Sequence, residues 1–152
     1  MIAIGVVLTL CGCVQLAPRL IVERYSGTAR VVDAESIEVG GQRLRLRHVG
    51  VPDTECVNAQ GERVVPRLEA EEYLRAFVEG EELTCIPMRD GAFCSFSDDH
   101  WSDINSSLLA SGWYLADGTL SFDELKISAL AGEIAAKERR GMFALSCSVP
   151  HT

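Results

Sequence analysis

Alternating apolar and polar positions mark the start of the folded part of the chain. Residues 28–32 form a strand-like run, and residues 36–39 and 42–49 place apolar side chains at every second position. This period of two is typical of β-strands with one buried face. Gly40 and Gly41 separate the last two stretches, and they suit a two-residue hairpin loop because glycine tolerates positive φ.

The hairpin loop fixes which side chains share a face. It sets Ile37 opposite Leu44 and Glu38 opposite Arg43, so that Leu44 and Leu46 face the core. The other face carries three arginines: Arg43, Arg45 and Arg47. Such a stripe is either a solvated sheet face or part of a functional site, and the strand pattern leaves both open.

Two amphipathic stretches predict helices in the middle of the chain. Residues 65–78 repeat apolar side chains with helical spacing, and Gly80 follows as a stop signal. A shorter helix is predicted over residues 104–111. Asp103 is suited to cap its N-terminus, and Gly112 is suited to end it.

The last helix has the strongest signals. It is predicted to start at a capping box, residues 121–124, and to end at Gly141. Its predicted buried stripe has four members: Ile127, Leu130, Ala131 and Ile134. Two further strands, residues 83–88 and 93–96, complete a β-rich α+β fold.

Composition limits the number of domains and the class of partner. The chain has 152 residues, enough for one domain with a core, which is predicted over residues 27–145 with a tail at 146–152. The formal net charge is -8. Bulk nucleic acid is therefore an unlikely partner, because non-specific binding to phosphates needs an excess of cations.

The N-terminus is typical of an export signal. The apolar run in residues 1–12 is shorter than the roughly 20 residues that span a bilayer, and it predicts a signal peptide. The ending Leu10-Cys11-Gly12-Cys13 resembles a bacterial lipobox, which predicts lipidation of Cys13 and a lipid-anchored tether over residues 13–26. No Lys or Arg precedes the apolar run, so a buried N-terminal strand is the alternative.

Four cysteines lie beyond the lipobox: Cys56, Cys85, Cys94 and Cys147. An even number in an exported domain predicts two disulfides. Reduced cysteines in a cytosolic protein are the alternative. A zinc site is less favoured, because no two of these cysteines form a Cys-x-x-Cys pair.

Four sequence stretches in this order resemble the staphylococcal nuclease (thermonuclease-like) family over residues 26–143. Val-Val-Asp-Ala-Glu-Ser, residues 31–36, stands where the family has a hydrophobic pair and Asp-Gly-Asp-Thr. Residues 44–53 stand where the family reads Arg-Leu and then Asp-x-Pro-Glu. Residues 103–113 and 133–143 match the family's Asp-hydrophobic-Asn segment and its Ala-rich last helix. The resemblance implies a five-stranded OB-fold barrel with about three helices.

The resemblance also implies a phosphodiesterase site built around one calcium ion. In the family two aspartates and a backbone carbonyl bind calcium, which prefers hard oxygen ligands. The first aspartate corresponds to Glu35, and Asp33 matches the acidic residue before it. The second corresponds to Gly50, which has no side-chain ligand. The resemblance with these changes therefore implies that the site holds no cofactor or, as the alternative, that it binds Ca²⁺ weakly.

The remaining catalytic positions are also altered. The family's first arginine corresponds to Arg45, and its glutamate near the attacking water corresponds to Asp53. Its second arginine corresponds to Ala92. Since Arg45 faces Ser36 in the predicted register, a bulge near Asp33 is needed to bring the remaining side chains together.

The resemblance helps to choose between two possible cysteine registers. A four-residue loop over 88–91 sets Cys85 opposite Cys94, whereas a two-residue Asp90-Gly91 loop sets Cys94 opposite Pro87. Exported members of the family often carry a cysteine pair at these strands, which favours a Cys85–Cys94 disulfide. A disulfide between the other two cysteines, Cys56 and Cys147, then follows by exclusion.

Three functions are compatible with these patterns. The leading expectation is an exported, lipid-anchored domain with weak or lost nuclease activity, which binds a protein or another envelope component. The alternative is a working calcium-dependent nuclease, in which Asp53 or Glu55 replaces the missing ligand and Arg43, Arg47 or Arg89 replaces the missing arginine. A structural envelope lipoprotein on an unrelated β-rich fold is the third. If the first is correct, Gly50→Asp together with Ala92→Arg should raise activity.

Overall fold

The computed structural model of the protein describes residues 22–96, 99–117 and 122–147. The predicted signal peptide, Cys13 and residues 14–21 of the predicted tether lie outside the described residues. So do Ser121 of the predicted capping box and residues 148–152 of the predicted tail.

The described residues form a β-rich α+β fold, as the pattern predicts. The strands in chain order are β1 (Tyr25–Thr28), β2 (Arg30–Asp33), β3 (Ser36–Val39), β4 (Gln42–Arg45), β5 (Val49–Gly50), β6 (Cys56–Val57), β7 (Arg63–Val64), β8 (Glu82–Met88), β9 (Gly91–Phe96), β10 (Asp99–Asp103), β11 (Leu115–Ala116) and β12 (Ser146–Cys147). The helices are α1 (Pro66–Val78), α2 (Ile104–Ser111) and α3 (Phe122–Lys137), and a 3-10 turn covers Gly141–Ala144.

The strands are arranged in four small antiparallel sheets. Their spatial orders are β1-β8-β9-β10, β2-β3-β4, β12-β6-β7 and β11-β5. Within the described ranges these sheets do not close into one barrel. The five-stranded OB-fold barrel therefore stays a prediction.

The predicted β3–β4 hairpin is confirmed in loop and register. Ile37 lies opposite Leu44, and Arg45 lies opposite Ser36. Both loop glycines have positive φ. The predicted irregularity is also present, because the pairing of β2 with β3 shifts register just before Asp33.

Both predicted disulfides are present. The β8–β9 hairpin turns between Met88 and Gly91, which places Cys85 opposite Cys94 and joins them. Cys56 and Cys147 also face each other across β6 and β12 and form the second disulfide. No cysteine of the described part is therefore left for a zinc site.

The first two helices follow their sequence signals closely. Helix α1 begins at Pro66, one residue after the predicted start, since proline fits the first helical turn. Asp103 caps α2 by accepting hydrogen bonds from the backbone N–H groups of Asn105 and Ser106. Gly112 ends α2 in the left-handed conformation.

The predicted buried stripe of α3 is wrong in part. Ala131 and Ala135 are buried, whereas Leu130 is 60% and Ile134 38% exposed. The C-cap of α2 lies against the 3-10 turn that follows α3, where the N–H of Met142 donates to the carbonyl of Gly112. This close approach leaves room for small side chains between the helices.

Buried side chains from the sheets and helices form one core. Its largest fully buried members are Tyr114, Ile37, Leu46, Leu74, Leu83, Ile104 and Leu108. Leu46 is among them, as the period-two pattern predicts. The core therefore packs against one face of β4, and the arginines of β4 lie on the opposite face.

Candidate functional site

The candidate site lies where the turn between β2 and β3 meets strands β4, β5 and β11. Glu35 lies in the turn between β2 and β3, Arg45 ends β4, and Gly50 lies in β5. Strand β11 pairs with β5, so that Leu115 lies opposite Gly50. This pairing brings Asp117, two residues later, over Gly50.

A surface depression of about 310 Å³ occupies this junction. Its charged lining residues are Glu35 and Asp117. The other lining residues have apolar side chains or none: Gly50, Val51, Pro52, Leu115 and Ala116. We call this feature the acidic depression.

Glu35 is the most enclosed charged side chain of the acidic depression. It is 17% exposed, and its Oε1 accepts a hydrogen bond of 2.9 Å from the backbone N–H of Val51. Its Oε2 lies 3.3 Å from Nη2 of Arg45, and its Oε1 lies 3.5 Å from Nη2 of Arg67. Both carboxylate oxygens are therefore in contact with arginine.

Arg45 bridges the two acids of the depression. Its Nη2 lies 2.9 Å from Oδ2 of Asp117 as well as 3.3 Å from Oε2 of Glu35. The hydrogen bond that Arg45 donates to Asp117, followed by the one that it donates to Glu35, raises the pKa of Arg45 above its ordinary value, against the effect of partial burial. Arg45 is thus a counter-ion to Glu35 and Asp117.

Asp33, the second predicted metal residue, is bound elsewhere. Its Oδ1 accepts from the backbone N–H of Glu35, and its Oδ2 lies 2.6 Å from Nη2 of Arg43. Partial burial opposes ionisation of Asp33, but hydrogen bonds from Glu35, Ser36 and Arg43 outweigh it and lower its pKa. Asp33 does not line the acidic depression.

A buried tyrosine supports the turn that carries Glu35. The Tyr114 hydroxyl lies 2.8 and 2.9 Å from the carbonyl oxygens of Ala34 and Ala70, and its single proton is shared between these two acceptors. Burial, with a further contribution from the charge of Glu35, raises the pKa of Tyr114. Tyr114 thereby ties the chain next to Glu35 to helix α1.

The other predicted catalytic positions do not join the depression. Asp53 is exposed and is not part of its lining, and Glu55 lies 3.3 Å from Arg63. Ala92 is 1% exposed in the core. An arginine at this position would have to enter the core, so Ala92→Arg is not a simple way to add a phosphate-binding side chain.

Arg47, a suggested replacement for the missing arginine, is directed to the β8–β9 turn. Its Nε donates to Asp90 at 2.7 Å, and its guanidinium lies 5.0 Å from the Phe93 ring centre. The hydrogen bond from Arg47 lowers the pKa of Asp90. Arg47 is therefore in contact with the turn between β8 and β9.

Sequence reasoning missed Asp117 and Arg67. Asp117 is 72 residues from Arg45 in the chain, and Arg67 is in the first turn of α1. Neither belongs to a motif at a spacing that would connect it with Glu35. Only the pairing of β11 with β5, together with the packing of α1, brings them there.

The contacts of the acidic depression do not fit a calcium ion. Glu35 and Asp117 are both paired with Arg45, and Gly50 offers no side chain. Among the described residues, no group of three or more His, Cys, Asp or Glu side chains is arranged to hold a metal. Calcium prefers six to eight oxygen ligands, and the two carboxylates that the depression offers are already paired with arginine.

The chain matches no protein-family model and no curated protein sequence. The resemblance to the staphylococcal nuclease family therefore rests on the residues themselves. No helix in the described ranges has the length and apolar character needed to cross a membrane. The two disulfides indicate an oxidising, exported environment.

Proposed function

We propose that the protein is an exported domain related to the staphylococcal nucleases, with weak or lost nuclease activity, that works as a binding module in the cell envelope. Its fold would be the five-stranded OB-fold barrel of that family. A lipid on Cys13 would hold it at a membrane, and its partner would be a protein or another envelope component.

One observation carries the loss of activity: Arg45 is paired with Glu35 and Asp117. In a calcium-dependent phosphodiesterase, the acids hold the cation and the arginine meets the developing negative charge of the phosphate. Here both acids are paired with the arginine instead. The net charge of -8 further disfavours approach of a polyanion.

The exported location is supported by both disulfides, which persist in oxidising compartments. A short lipid-anchored tether would keep the domain near the envelope without a membrane-spanning helix. An acidic domain held there meets envelope proteins more readily than free nucleic acid, which supports a protein or envelope partner.

A DNA cleavage assay tests the proposal. The full-length protein is incubated with plasmid DNA in calcium or in EDTA, beside its Glu35→Ala and Arg45→Ala variants. We expect the wild type to cleave no faster in calcium than in EDTA, and the variants to behave alike. Strong calcium-dependent cleavage that either substitution abolishes would refute the proposal.

Arg67 favours a second candidate, a working calcium-dependent nuclease. Its guanidinium lies 3.5 Å from Glu35, so a second arginine is present at the site although position 92 has none. In that case Arg45 and Arg67 would leave Glu35 and together bind the phosphate. Calcium-dependent cleavage that Arg67→Ala abolishes in the same assay would support this candidate.

A further inference from the structure

We infer that Arg45 takes the position, in contact with both Glu35 and Asp117, that a divalent cation bound by these two acids would need, and that Asp117 is the residue that positions it there. The inference rests on the proposed relation to calcium-dependent nucleases. It extends that proposal by assigning to this chain an internal cation, supplied by Arg45, and a second acid, supplied by Asp117.

One nitrogen of Arg45 is shared by the two acids. Nη2 of Arg45 lies 3.3 Å from Oε2 of Glu35 and 2.9 Å from Oδ2 of Asp117. One guanidinium therefore lies between two carboxylates that belong to distant parts of the chain. A divalent cation shared by the same two carboxylates would meet the positive charge of Arg45 at a few ångströms, where repulsion between like charges is strong.

Asp117 lies directly beside Gly50. A Cβ atom built on Gly50 would lie 3.1 Å from Cβ and 3.4 Å from Oδ2 of Asp117. Asp117 therefore takes the space beside Gly50 into which a side chain at position 50 would extend. The carboxylate that is missing from β5 is replaced in space by one that follows β11.

The position of Asp117 also limits the effect of Gly50→Asp, one half of the double variant that the sequence predicts to raise activity. An aspartate at position 50 would have to displace Asp117, so Gly50→Asp would disturb the partner of Arg45. We therefore expect one added ligand at position 50 to be insufficient. The charge of Arg45, which contacts both acids, must also be removed before they can share a cation, whereas Arg67 contacts Glu35 and not Asp117 in the described ion pairs.

Calcium binding by the full-length protein in mild detergent tests the inference. The wild type is compared with Arg45→Met, which removes the charge while keeping an extended side chain. The matched control is Arg43→Met, since Arg43 lies on the same strand but pairs with Asp33, which does not line the depression. Titration calorimetry and thermal unfolding are recorded in CaCl₂ and in KCl of equal ionic strength.

We expect only Arg45→Met to respond to calcium. Two carboxylates completed by water should bind calcium with about millimolar affinity. Calcium at 10 mM should then raise the melting temperature of this variant by about 4 °C. The wild type and Arg43→Met should show no rise beyond that in KCl. A double variant, Arg45→Met with Asp117→Asn, should lose the response because one of the two acids is neutral.

Three results would overturn the inference. They are calcium binding by the wild type as strong as that of Arg45→Met, a folded Arg45→Met with no gain, and a double variant that keeps the gain. Circular dichroism checks that each variant is folded. If Arg45→Met does not fold, Arg45→Gln replaces it in the same calcium titration and thermal unfolding, with the same expected results. The plasmid assay on the wild type stays separate, because cleavage there contradicts the proposed function whatever Arg45→Met binds.

Discussion

The β8–β9 hairpin and the acidic depression are stabilised in opposite ways. The hairpin keeps an unbroken register from Leu83 opposite Phe96 to Met88 opposite Gly91, and a buried disulfide joins its strands. The depression joins residues from distant parts of the chain through ion pairs, and Arg45, which contacts both of its acids, is 47% exposed.

The energies of the two regions differ accordingly. Closing the short Cys85–Cys94 loop stabilises the fold by roughly 3 kcal/mol in the chain-entropy model. Half-exposed ion pairs contribute about 0.2–1 kcal/mol each. Substitution of the charged side chains of the depression should therefore leave the fold intact, because the disulfide-linked hairpin does not depend on their ion pairs.

A substitution in the buried frame should have the largest effect. Asn105 is buried, its Nδ2 donates to the carbonyls of Arg47 and Ala92 at 2.6 and 3.1 Å, and its Oδ1 accepts from the N–H of Cys94 at 3.3 Å. Asn105→Leu removes these partners from buried backbone groups. We expect a loss of about 3 kcal/mol in the free energy of unfolding, measured with urea.

Ser107→Ala on the same helix is the control, because Ser107 is half-buried and makes one hydrogen bond to the carbonyl of Asp103. It should cost less than about 1 kcal/mol. If Asn105→Leu also lost less than about 1 kcal/mol, the β8–β9 hairpin would not depend on this buried side chain. That result would contradict the difference in stability between the hairpin and the acidic depression.

The second prediction concerns Tyr114, which supports the depression from the core. Tyr114→Phe should lower the free energy of unfolding by about 1 kcal/mol at pH 7, because the carbonyls of Ala34 and Ala70 lose a donor. The raised pKa of Tyr114 means that the folded state holds this proton to higher pH than the unfolded state. Wild-type stability should therefore fall as pH rises above about 10.

Urea unfolding at pH 7 and pH 10.5 measures this effect. Tyr114→Phe cannot lose the proton, so the difference in unfolding free energy between wild type and variant should narrow at pH 10.5. Tyr73→Phe, at a half-buried tyrosine, is the control and should leave the wild-type pH dependence in place. An equal difference at both pH values would show that Tyr114 does not cause the alkaline loss.

The smallest expected effect lies in the depression itself. Asp117→Asn should lower the free energy of unfolding by less than about 1 kcal/mol at low salt, because Asp117 is 54% exposed and Arg45 keeps Glu35. The difference should vanish in about 1 M NaCl, where the screening length is near 3 Å. Urea unfolding at two salt concentrations provides the measurement.

Glu38→Gln is the matched control for this ion pair, since Glu38 and Arg30 form another exposed pair at 2.9 Å. It should show the same small, salt-sensitive loss. A loss above about 2 kcal/mol for Asp117→Asn, insensitive to salt, would mean that the depression is part of the rigid frame.

Local signals predicted much of the fold and part of the site. The hairpin loop Gly40–Gly41 fixed the register of Arg45, and Asp103 fixed the start of α2. These features depend on residues close together in the chain. The face of α3 was predicted wrongly at Leu130 and Ile134, because its packing against the rest of the fold, which helical periodicity does not encode, buries Ala131 and Ala135 instead.

By itself, the sequence determined the alternation of the β3–β4 strands and their register, the caps of α2 and the presence of Glu35 without a carboxylate at Gly50. These properties follow from local sterics, side-chain periodicity and residue identity. Only the tertiary structure decided that Asp117 lies beside Gly50 and that Arg45 is its counter-ion. The physical reason is that this contact joins positions 72 residues apart, through a two-residue strand pairing that no local pattern encodes.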